Sequence, residues 1–328
     1  MTCAIKDPSL FIPLIEDGHP TGRTYNGNFH PAKRCACCGY VRFETPSAED
    51  LDQFYNHEYP QVSASWYNVD TDYAPWKTEV RSSRVIDILN TYGIERGASV
   101  HEFGCAFGGT VHALNQKGYD ASGTELNREA VEKGRARGND KIFAQSALDY
   151  LDSLPAKPKA IYSYHALEHF TDPFAFLRDL RERLDPNGII ISFLPNSAAL
   201  FALVYGYTRY VWFNYPEHIH MFSPGSANAL TEVTGFDLLS VFTSEFGIEP
   251  EATARATETG SAASNLLKSQ PRQNFGEELV IVMTPRGSAL TTQHKARHRE
   301  AQLLSLQQSF VETDALDLMA GELSNPWP

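Results

Sequence analysis

The chain has 328 residues, of which 42% are hydrophobic and 21% charged, a composition typical of an ordinary globular protein. Its formal net charge of −12 argues against a nucleic-acid backbone as the main partner, because such partners select basic surfaces. The sequence contains no uncharged apolar stretch long enough for a membrane span, and residues 1–10 lack the apolar core of a signal peptide. Five cysteines, three of them within Cys35–Cys38, do not form the pattern of a secreted disulfide framework, so we expect a cytoplasmic protein.

The N-terminal region, up to about Asp72, lacks long hydrophobic periodicity and is rich in His, Pro, Gly and Asn. Within it, Pro46–Asp50 has the residue types of a helix start. The apolar face of this short helix is formed by Leu51, Phe54 and Tyr55. A second helix is predicted over Thr78–Tyr92, closed by Gly93.

Beyond this region, strands and helices alternate. The predicted strands are Ser99–Phe103, Asp120–Thr124, Lys141–Ala144, Ala160–Tyr164 and Ile189–Leu194. The predicted helices are Gly109–Lys117, Arg128–Arg137 and a helix that Asp172 caps and that runs to Leu184. This alternation predicts an α/β protein with a Rossmann-like, doubly wound parallel sheet.

The pattern changes after the fifth strand. A helix begins at Ser223-Pro224 and ends at Gly235, and two strands follow over Leu238–Thr243 and Glu278–Thr284. Because no helix is predicted between these strands, we expect an antiparallel hairpin at the edge of the sheet. Residues 249–276 have the composition of a mobile insertion. We therefore divide the chain into an N-terminal cysteine-containing lid segment (1–75), a ligand-binding domain (76–286) and a helix-prone tail (287–328).

The most informative segment is the glycine-rich turn between the first strand and its helix. Glu102 lies near the end of the strand, and glycines in Gly104–Gly108 allow the backbone to approach a ligand closely. The following helix N-terminus favours an anion, whereas Glu102 favours a ligand that also carries a cation. Glu125 ends the next strand, just before the helix cap Asn127, where a carboxylate can bind both hydroxyls of a ribose. A plain tight turn and a dinucleotide fingerprint are the alternatives.

Several segments together resemble the small-molecule branch of the class I S-adenosylmethionine-dependent methyltransferases. The matching segments are Glu102–Gly108, Gly123–Glu125, His165–His169, Leu184–Gly188 and Glu217–Pro224. They occur in the order and with the spacing of that family.

The resemblance implies roles for named residues. The methionine end of S-adenosylmethionine would be held by Glu102, Gly104, Cys105, Ala106 and Gly108, the ribose hydroxyls by Glu125, and the adenine by Ser146 and Ala147, with Leu126 as a further cofactor-binding candidate. Tyr164 and His165 would lie near the methyl group. The chain departs from the family at Ala106, where glycine is frequent, and at Ser146, where an acid is frequent.

Two interpretations compete for the catalytic residues. Glu217-His218 resembles the acid/base pair of nucleotide-sugar C-methyltransferases, in which His218 would remove the acceptor proton and Glu217 would orient the imidazole. Alternatively, His165-x-x-Glu168-His169 resembles the Glu-x-x-Glu-His segment of metal-dependent O-methyltransferases. His218 or His220 would then complete a divalent-metal site. We favour acid/base chemistry, with His165 and His169 as further candidates for the base.

The cysteines near the N-terminus resemble half of the zinc knuckle that precedes some of these methyltransferases. A structural zinc ion normally has four ligands, and here only the pair Cys35-x-x-Cys38 is present. Cys3, His19 and His30 are the residues that could complete a set. We expect a remnant without zinc.

The sequence therefore predicts an enzyme that transfers a methyl group from S-adenosylmethionine to a small-molecule acceptor, by O- or C-methylation. A homodimer formed through the C-terminal tail is a further hypothesis. The alternatives are an NAD(P)-dependent oxidoreductase on a similar sheet and a non-catalytic binding protein that keeps the fold.

Overall fold

The structure is a computed structural model of the chain, and it describes residues 3–15, 24–25, 28–29, 31–54, 57, 68–205, 207, 210, 212–244 and 276–294. Tyr55, His19, His30, almost all of the expected insertion and the tail beyond residue 294 lie outside the described residues. Among the described residues, no helix is both long and apolar enough to cross a membrane.

The main sheet has seven strands in the order β12-β13-β10-β9-β6-β7-β8. Their bounds are β6 Ser99–Phe103, β7 Asp120–Glu125, β8 Ile142–Ala144, β9 Ala160–Tyr164, β10 Ile189–Pro195, β12 Phe236–Ser244 and β13 Glu278–Pro285. The five strands β6 to β10 pair in parallel, whereas β13 runs antiparallel to both β10 and β12. The predicted Rossmann-like sheet with an antiparallel hairpin at its edge is confirmed, and each strand lies within two residues of its predicted bounds.

Helices pack on both faces of this sheet and bury its apolar strands. Their bounds are α1 Ala48–Gln53, α2 Val69–Asp72, α3 Pro75–Thr91, α4 Gly109–Gln116, α5 Arg128–Ala136, α6 Ala147–Ser153, α7 Pro173–Arg183, α8 Leu200–Tyr205 and α9 Ala227–Thr234. Strands β9 and β10 are buried along their whole length, as expected for central parallel strands covered on both faces. The sequence analysis did not predict α6, although Ser146 caps it by accepting a hydrogen bond from the N–H of Asp149.

A second, smaller sheet joins the N-terminal region to a late loop of the chain. Its order is β1-β4-β5-β11, with β1 Phe11–Ile15, β4 Ala32–Cys35, β5 Val41–Phe43 and β11 His220–Met221. A separate two-stranded pair consists of β2 Thr24–Tyr25 and β3 Asn28–Phe29. Because β11 pairs with β5, the N-terminal segment is hydrogen-bonded to the loop that carries Glu217 and His218.

Candidate functional site

The glycine-rich turn adopts a backbone that needs small residues. Gly104 has φ +68, and a Cβ built on it would lie 2.7 Å from Cβ of Ala166. Gly108 has φ +80 and precedes α4, and its carbonyl accepts a hydrogen bond of 2.8 Å from Nδ2 of Asn139. Ala106 also lies in the left-handed region, at φ 50, where alanine is less favourable than the family's glycine.

The N-terminus of α4 is already occupied by a protein carboxylate. Oδ2 of Asp72 accepts a hydrogen bond of 2.9 Å from the N–H of Gly109, and Nζ of Lys77 lies 3.0 Å from Oδ1 of Asp72. A Cβ on Gly109 would lie 2.1 Å from the Asp72 carbonyl oxygen, so only glycine allows this close approach. A pyrophosphate bound at this helix end would have to replace the carboxylate, which argues against a dinucleotide.

Glu102 is buried under the turn with a hydrogen-bond donor beside it. The hydroxyl of Tyr162 donates a hydrogen bond of 2.8 Å to Oε2 of Glu102. Burial raises the pKa of Glu102 to about 8, although Tyr162, Arg81 and Lys77 act in the opposite direction. Without a ligand, Glu102 is therefore largely protonated near neutral pH, and a cation placed beside it would favour the carboxylate.

Glu125, the last residue of β7, binds the glycine-rich turn that follows β6 through its carboxylate. Its Oε1 accepts a hydrogen bond of 2.9 Å from the N–H of Asn127, and its Oε2 accepts one of 3.1 Å from the N–H of Ala106. Each carboxylate oxygen retains a further lone pair, and the side chain is half-buried. Leu126 beside it is 78% exposed, which is unusual for a leucine next to a strand end.

The other residues predicted to bind the cofactor are engaged in structural contacts. The hydroxyl of Ser146 donates a hydrogen bond of 2.7 Å to Oδ2 of Asp149, so its side chain serves the cap of α6. Cys105 is buried, and burial raises the pKa of its thiol well above the ordinary value. The hydroxyl of Tyr164 donates to the carbonyl of Arg81 at 2.9 Å, and its ring stacks on Phe193.

Sequence reasoning did not single out Tyr162 or Arg81. Tyr162 is the β-sheet partner of Glu102 and lies two residues before Tyr164, so both tyrosines share one face of β9. The guanidinium carbon of Arg81 lies 4.7 Å from the centroid of the Tyr164 ring. The alternation of Tyr162 with Tyr164 was the available signal, whereas the position of Arg81 required the fold.

The segments His165–His169 and Glu217–His218 lie close together at the carboxyl end of β9. Glu168, in the turn after β9, is fully buried, and Oε1 lies 3.4 Å from Nδ1 of His165. Neither oxygen of Glu168 receives a hydrogen bond from the described residues. Ligand atoms of Glu168, His169 and His218 all lie within 4.8 Å of one another.

His165 lies between two buried carboxylates. Besides Glu168, its ring faces Glu278, with Nε2 3.3 Å from Oε2, and it stacks on Trp212. Burial alone would lower the pKa of His165, but the two carboxylates outweigh burial and raise it. Glu278 is in turn paired with Arg84 of α3, so an ionic chain runs from this helix to His165.

His218 is buried and held by one backbone carbonyl. Its Nδ1 lies 2.6 Å from the carbonyl oxygen of Trp212 and therefore carries the hydrogen. Burial lowers the pKa of His218 to about 3, so the imidazole is neutral at pH 7. Glu217, the carboxylate expected to orient this ring, accepts a hydrogen bond from Nδ2 of Asn214. Nδ1 of His218 thus contacts a backbone carbonyl, which side-chain motifs do not reveal.

The other two histidines that the sequence analysis named as candidates, His169 and His220, have different surroundings. His169 faces two carbonyls, with Nδ1 2.8 Å from the Glu217 oxygen and Nε2 3.1 Å from the His165 oxygen. His220, a candidate metal ligand from the sequence, is outside the cluster of Glu168: its Nδ1 contacts the hydroxyl of Tyr40, and the two rings stack. His220 lies on β11 and pairs with Arg42 of β5, which places its ring beside Tyr40 in the N-terminal sheet.

Comparison with known proteins identifies the family. The sequence model of a family described as a methyltransferase domain matches residues 78–241, half of the 328-residue chain. The chain belongs to this methyltransferase family. S-adenosylmethionine is the cofactor of this class, as the sequence analysis expected. Comparison with curated proteins gives no match.

Several solved structures are similar to this chain at low identity. One chain of a Haloferax volcanii complex with the Trm112 methyltransferase activator has a TM-score of 0.50 and 16% identity, over 68% of this chain and 96% of that one. A methyltransferase from Archaeoglobus fulgidus has a TM-score of 0.47 and 18% identity, over 69% and 99%. Magnesium protoporphyrin IX methyltransferase from Synechocystis PCC 6803, with bound S-adenosylhomocysteine, has a TM-score of 0.48 and 13% identity, over 73% and 100%.

Proposed function

We propose that this methyltransferase acts on a small-molecule acceptor and that His218 is its general base. The observation that carries the proposal is the tautomer of His218, whose Nδ1 hydrogen is bound to the Trp212 carbonyl. This tautomer leaves Nε2 as a proton acceptor in a buried loop at the carboxyl end of the central strands. Ligands of open parallel sheets bind at that edge.

The cofactor site combines the turn with two carboxylates. Glu102 fits the ammonium group of the methionine end, because a buried carboxyl with a raised pKa gains most from an adjacent cation. The free lone pairs of Glu125 fit the two hydroxyls of a ribose, and exposed Leu126 offers an apolar surface beside it. When bound, S-adenosylmethionine supplies an activated methyl carbon, so the protein has mainly to position the acceptor and remove its proton.

In this proposal, the loop of residues 212–220 carries out the acid/base chemistry. Nε2 of His218 takes the proton of a hydroxyl or carbon acid, and the buried carboxylate of Glu168 stabilises the imidazolium that forms. Residues 165–169 and this loop are held together, because His169 faces the Glu217 carbonyl and the N–H of Ile219 donates to the Glu168 carbonyl at 3.0 Å. The geometry of the base therefore depends on both segments.

A divalent metal ion is the second candidate for activating the acceptor. It is favoured by the full burial of Glu168 and by the proximity of the Glu168 carboxylate to His169 and His218. A carboxylate and two imidazoles fit a first-row divalent ion, which would lower the pKa of an acceptor hydroxyl. In that case His218 would be a ligand and could not serve as the base.

The test of the proposed acceptor class is the fate of the methyl group. Protein would be incubated with cell extract and S-adenosylmethionine labelled in the methyl group, and the extract would be separated into small molecules, protein and nucleic acid. We expect label in the small-molecule fraction, lost with His218→Ala and retained with the control His112→Ala on α4. Label confined to protein or nucleic acid would contradict the proposal.

A further inference from the structure

Three cysteines from two separate segments meet in the N-terminal region. The Sγ atoms of Cys3, Cys35 and Cys38 all lie within 4.8 Å of one another. Sγ of Cys35 is 3.8 Å from Sγ of Cys3, which lies 32 residues earlier in the chain. All three are free cysteines, and Cys3 and Cys35 are buried. The fold therefore gathers three thiols at one point, which the single Cys-x-x-Cys pair does not reveal.

The sulfur geometry matches a tetrahedral metal site. In a zinc site with Zn–S bonds of about 2.3 Å, tetrahedral angles place neighbouring sulfurs about 3.8 Å apart. This is the separation between Cys3 and Cys35. A disulfide requires sulfurs about 2.05 Å apart, so the present arrangement is not that of a disulfide.

The local backbone supports a thiolate at Cys35. The N–H of Ala4 donates a hydrogen bond of 3.3 Å to Sγ of Cys35. The chain reverses just after Cys38, where Gly39 has φ +78 and donates to the Cys35 carbonyl at 3.1 Å. This tight turn brings Cys38 back beside Cys35.

The cysteine cluster lies against the methyltransferase domain. The hydroxyl of Ser223 donates a hydrogen bond to the carbonyl of Cys38, and a Cβ on Gly225 would lie 2.8 Å from the same oxygen. On the other side, Lys6 forms an ion pair with Glu232 of α9. Ser223 lies two residues after β11, so the cluster adjoins the strand that joins the N-terminal sheet to the His218 loop.

We propose that Cys3, Cys35 and Cys38 supply three ligands of one zinc ion, with water in the fourth position. This ion would hold the segment of Cys3 against the turn of Cys35–Cys38, whose Cys38 carbonyl accepts a hydrogen bond from Ser223 of the methyltransferase domain. Soft thiolate ligands select zinc among the common divalent ions. The short strands of this sheet give it a small core of its own, and metal binding stabilises such regions directly. The proposal replaces the expectation of a remnant without zinc, which was based on a single Cys-x-x-Cys pair.

The test uses the full-length chain and measures metal, independently of methyl transfer. Wild-type protein would be loaded with zinc, desalted and analysed by mass spectrometry of the metal, and its cobalt(II) form would be examined by absorption spectroscopy. We expect one equivalent of zinc and the sulfur-to-cobalt charge-transfer bands of a tetrahedral thiolate site. Cys3→Ser, Cys35→Ser and Cys38→Ser should each lose the metal, and the matched control Cys37→Ser, at an exposed neighbour, should retain it.

Thermal unfolding provides a measurement that does not depend on the ligand variants folding well. A chelator should lower the Tm of wild type and of Cys37→Ser, and zinc should restore it. Wild-type protein that takes up no zinc, or a cobalt form without thiolate bands, would overturn the proposal. It would equally be overturned if Cys37→Ser lost as much metal as the other variants, or if peptide mapping of the loaded protein found a Cys3–Cys35 disulfide.

Discussion

Glu102 is a buried, titratable carboxyl group at the point where we expect the amino group of the cofactor. Its pKa of about 8 means that the ligand-free protein holds a proton there at pH 7. A bound ammonium group lowers this pKa, so the proton should leave when the ligand binds. The affinity for S-adenosylhomocysteine should therefore rise with pH up to about 8.

Calorimetric titration checks this prediction at Glu102. At pH 7, the binding enthalpy of S-adenosylhomocysteine should vary with the ionisation enthalpy of the buffer, in the direction of proton release. The dependence should disappear in Glu102→Gln, whose side chain keeps the shape but does not titrate. A wild-type enthalpy that is the same in all buffers would show that Glu102 does not change its protonation state.

Glu125 offers a second test of the cofactor site at the residue scale. Glu125→Ala removes two charge-assisted hydrogen bonds to the ribose, which should cost about 2–4 kcal/mol of binding free energy. This corresponds to an affinity for S-adenosylhomocysteine about 30- to 1,000-fold weaker. The matched control is Glu129→Ala, at an exposed glutamate of the following helix, which should bind normally. Unchanged affinity in folded Glu125→Ala would refute the ribose assignment.

At the scale of elements, the main sheet was predictable because its signals are local. Each central strand is a short apolar run, and caps such as Asp172 and Gly235 mark the helix ends. The N-terminal sheet was missed because its strands are short and its last strand, β11, comes from His220–Met221. Pairing between segments so far apart leaves no periodic signal in either of them.

The same distinction applies to the candidate site. The positions of Glu102 and Glu125 beside the glycine-rich turn could be predicted because each lies at the end of a strand and next to a turn or helix cap. The partner of His218 could not, because the Trp212 carbonyl is a backbone group that a residue pattern does not encode. Likewise, the closeness of Cys3 to Cys35 depends on how β1 and β4 pair.

The helix cap at Asp172 gives a stability prediction for one element. Oδ1 of Asp172 accepts hydrogen bonds from the N–H groups of Phe174 and Ala175, at 3.1 and 2.9 Å. Asp172→Ala should lower the free energy of unfolding by about 0.5–2 kcal/mol, measured by denaturant titration. Asp179→Ala, at an exposed position of the same helix, should change it much less. Equal effects of the two substitutions would show that the cap does not stabilise the helix.

At the scale of the whole molecule, metal dependence separates the two catalytic schemes. With His218 as base, protein stripped of ions at the Glu168 cluster should keep its full rate, whereas the metal scheme predicts loss of activity and recovery with a divalent ion. The assay should use the Cys3→Ser variant alongside wild type, so that loss of zinc from the cysteine cluster is not mistaken for loss from Glu168. Activity that requires an added divalent ion in both proteins would favour the metal scheme.

The most direct test of the account is a paired measurement on His218→Ala. A positioned base contributes about a hundred- to ten-thousand-fold in rate, so turnover at saturating acceptor should fall by about that factor. The affinity for S-adenosylhomocysteine should stay at the wild-type value, because His218 lies outside the cofactor residues, and Glu217→Gln should lose less activity. Near-normal turnover in His218→Ala or His218→Asn, with the cofactor still bound, would contradict the account.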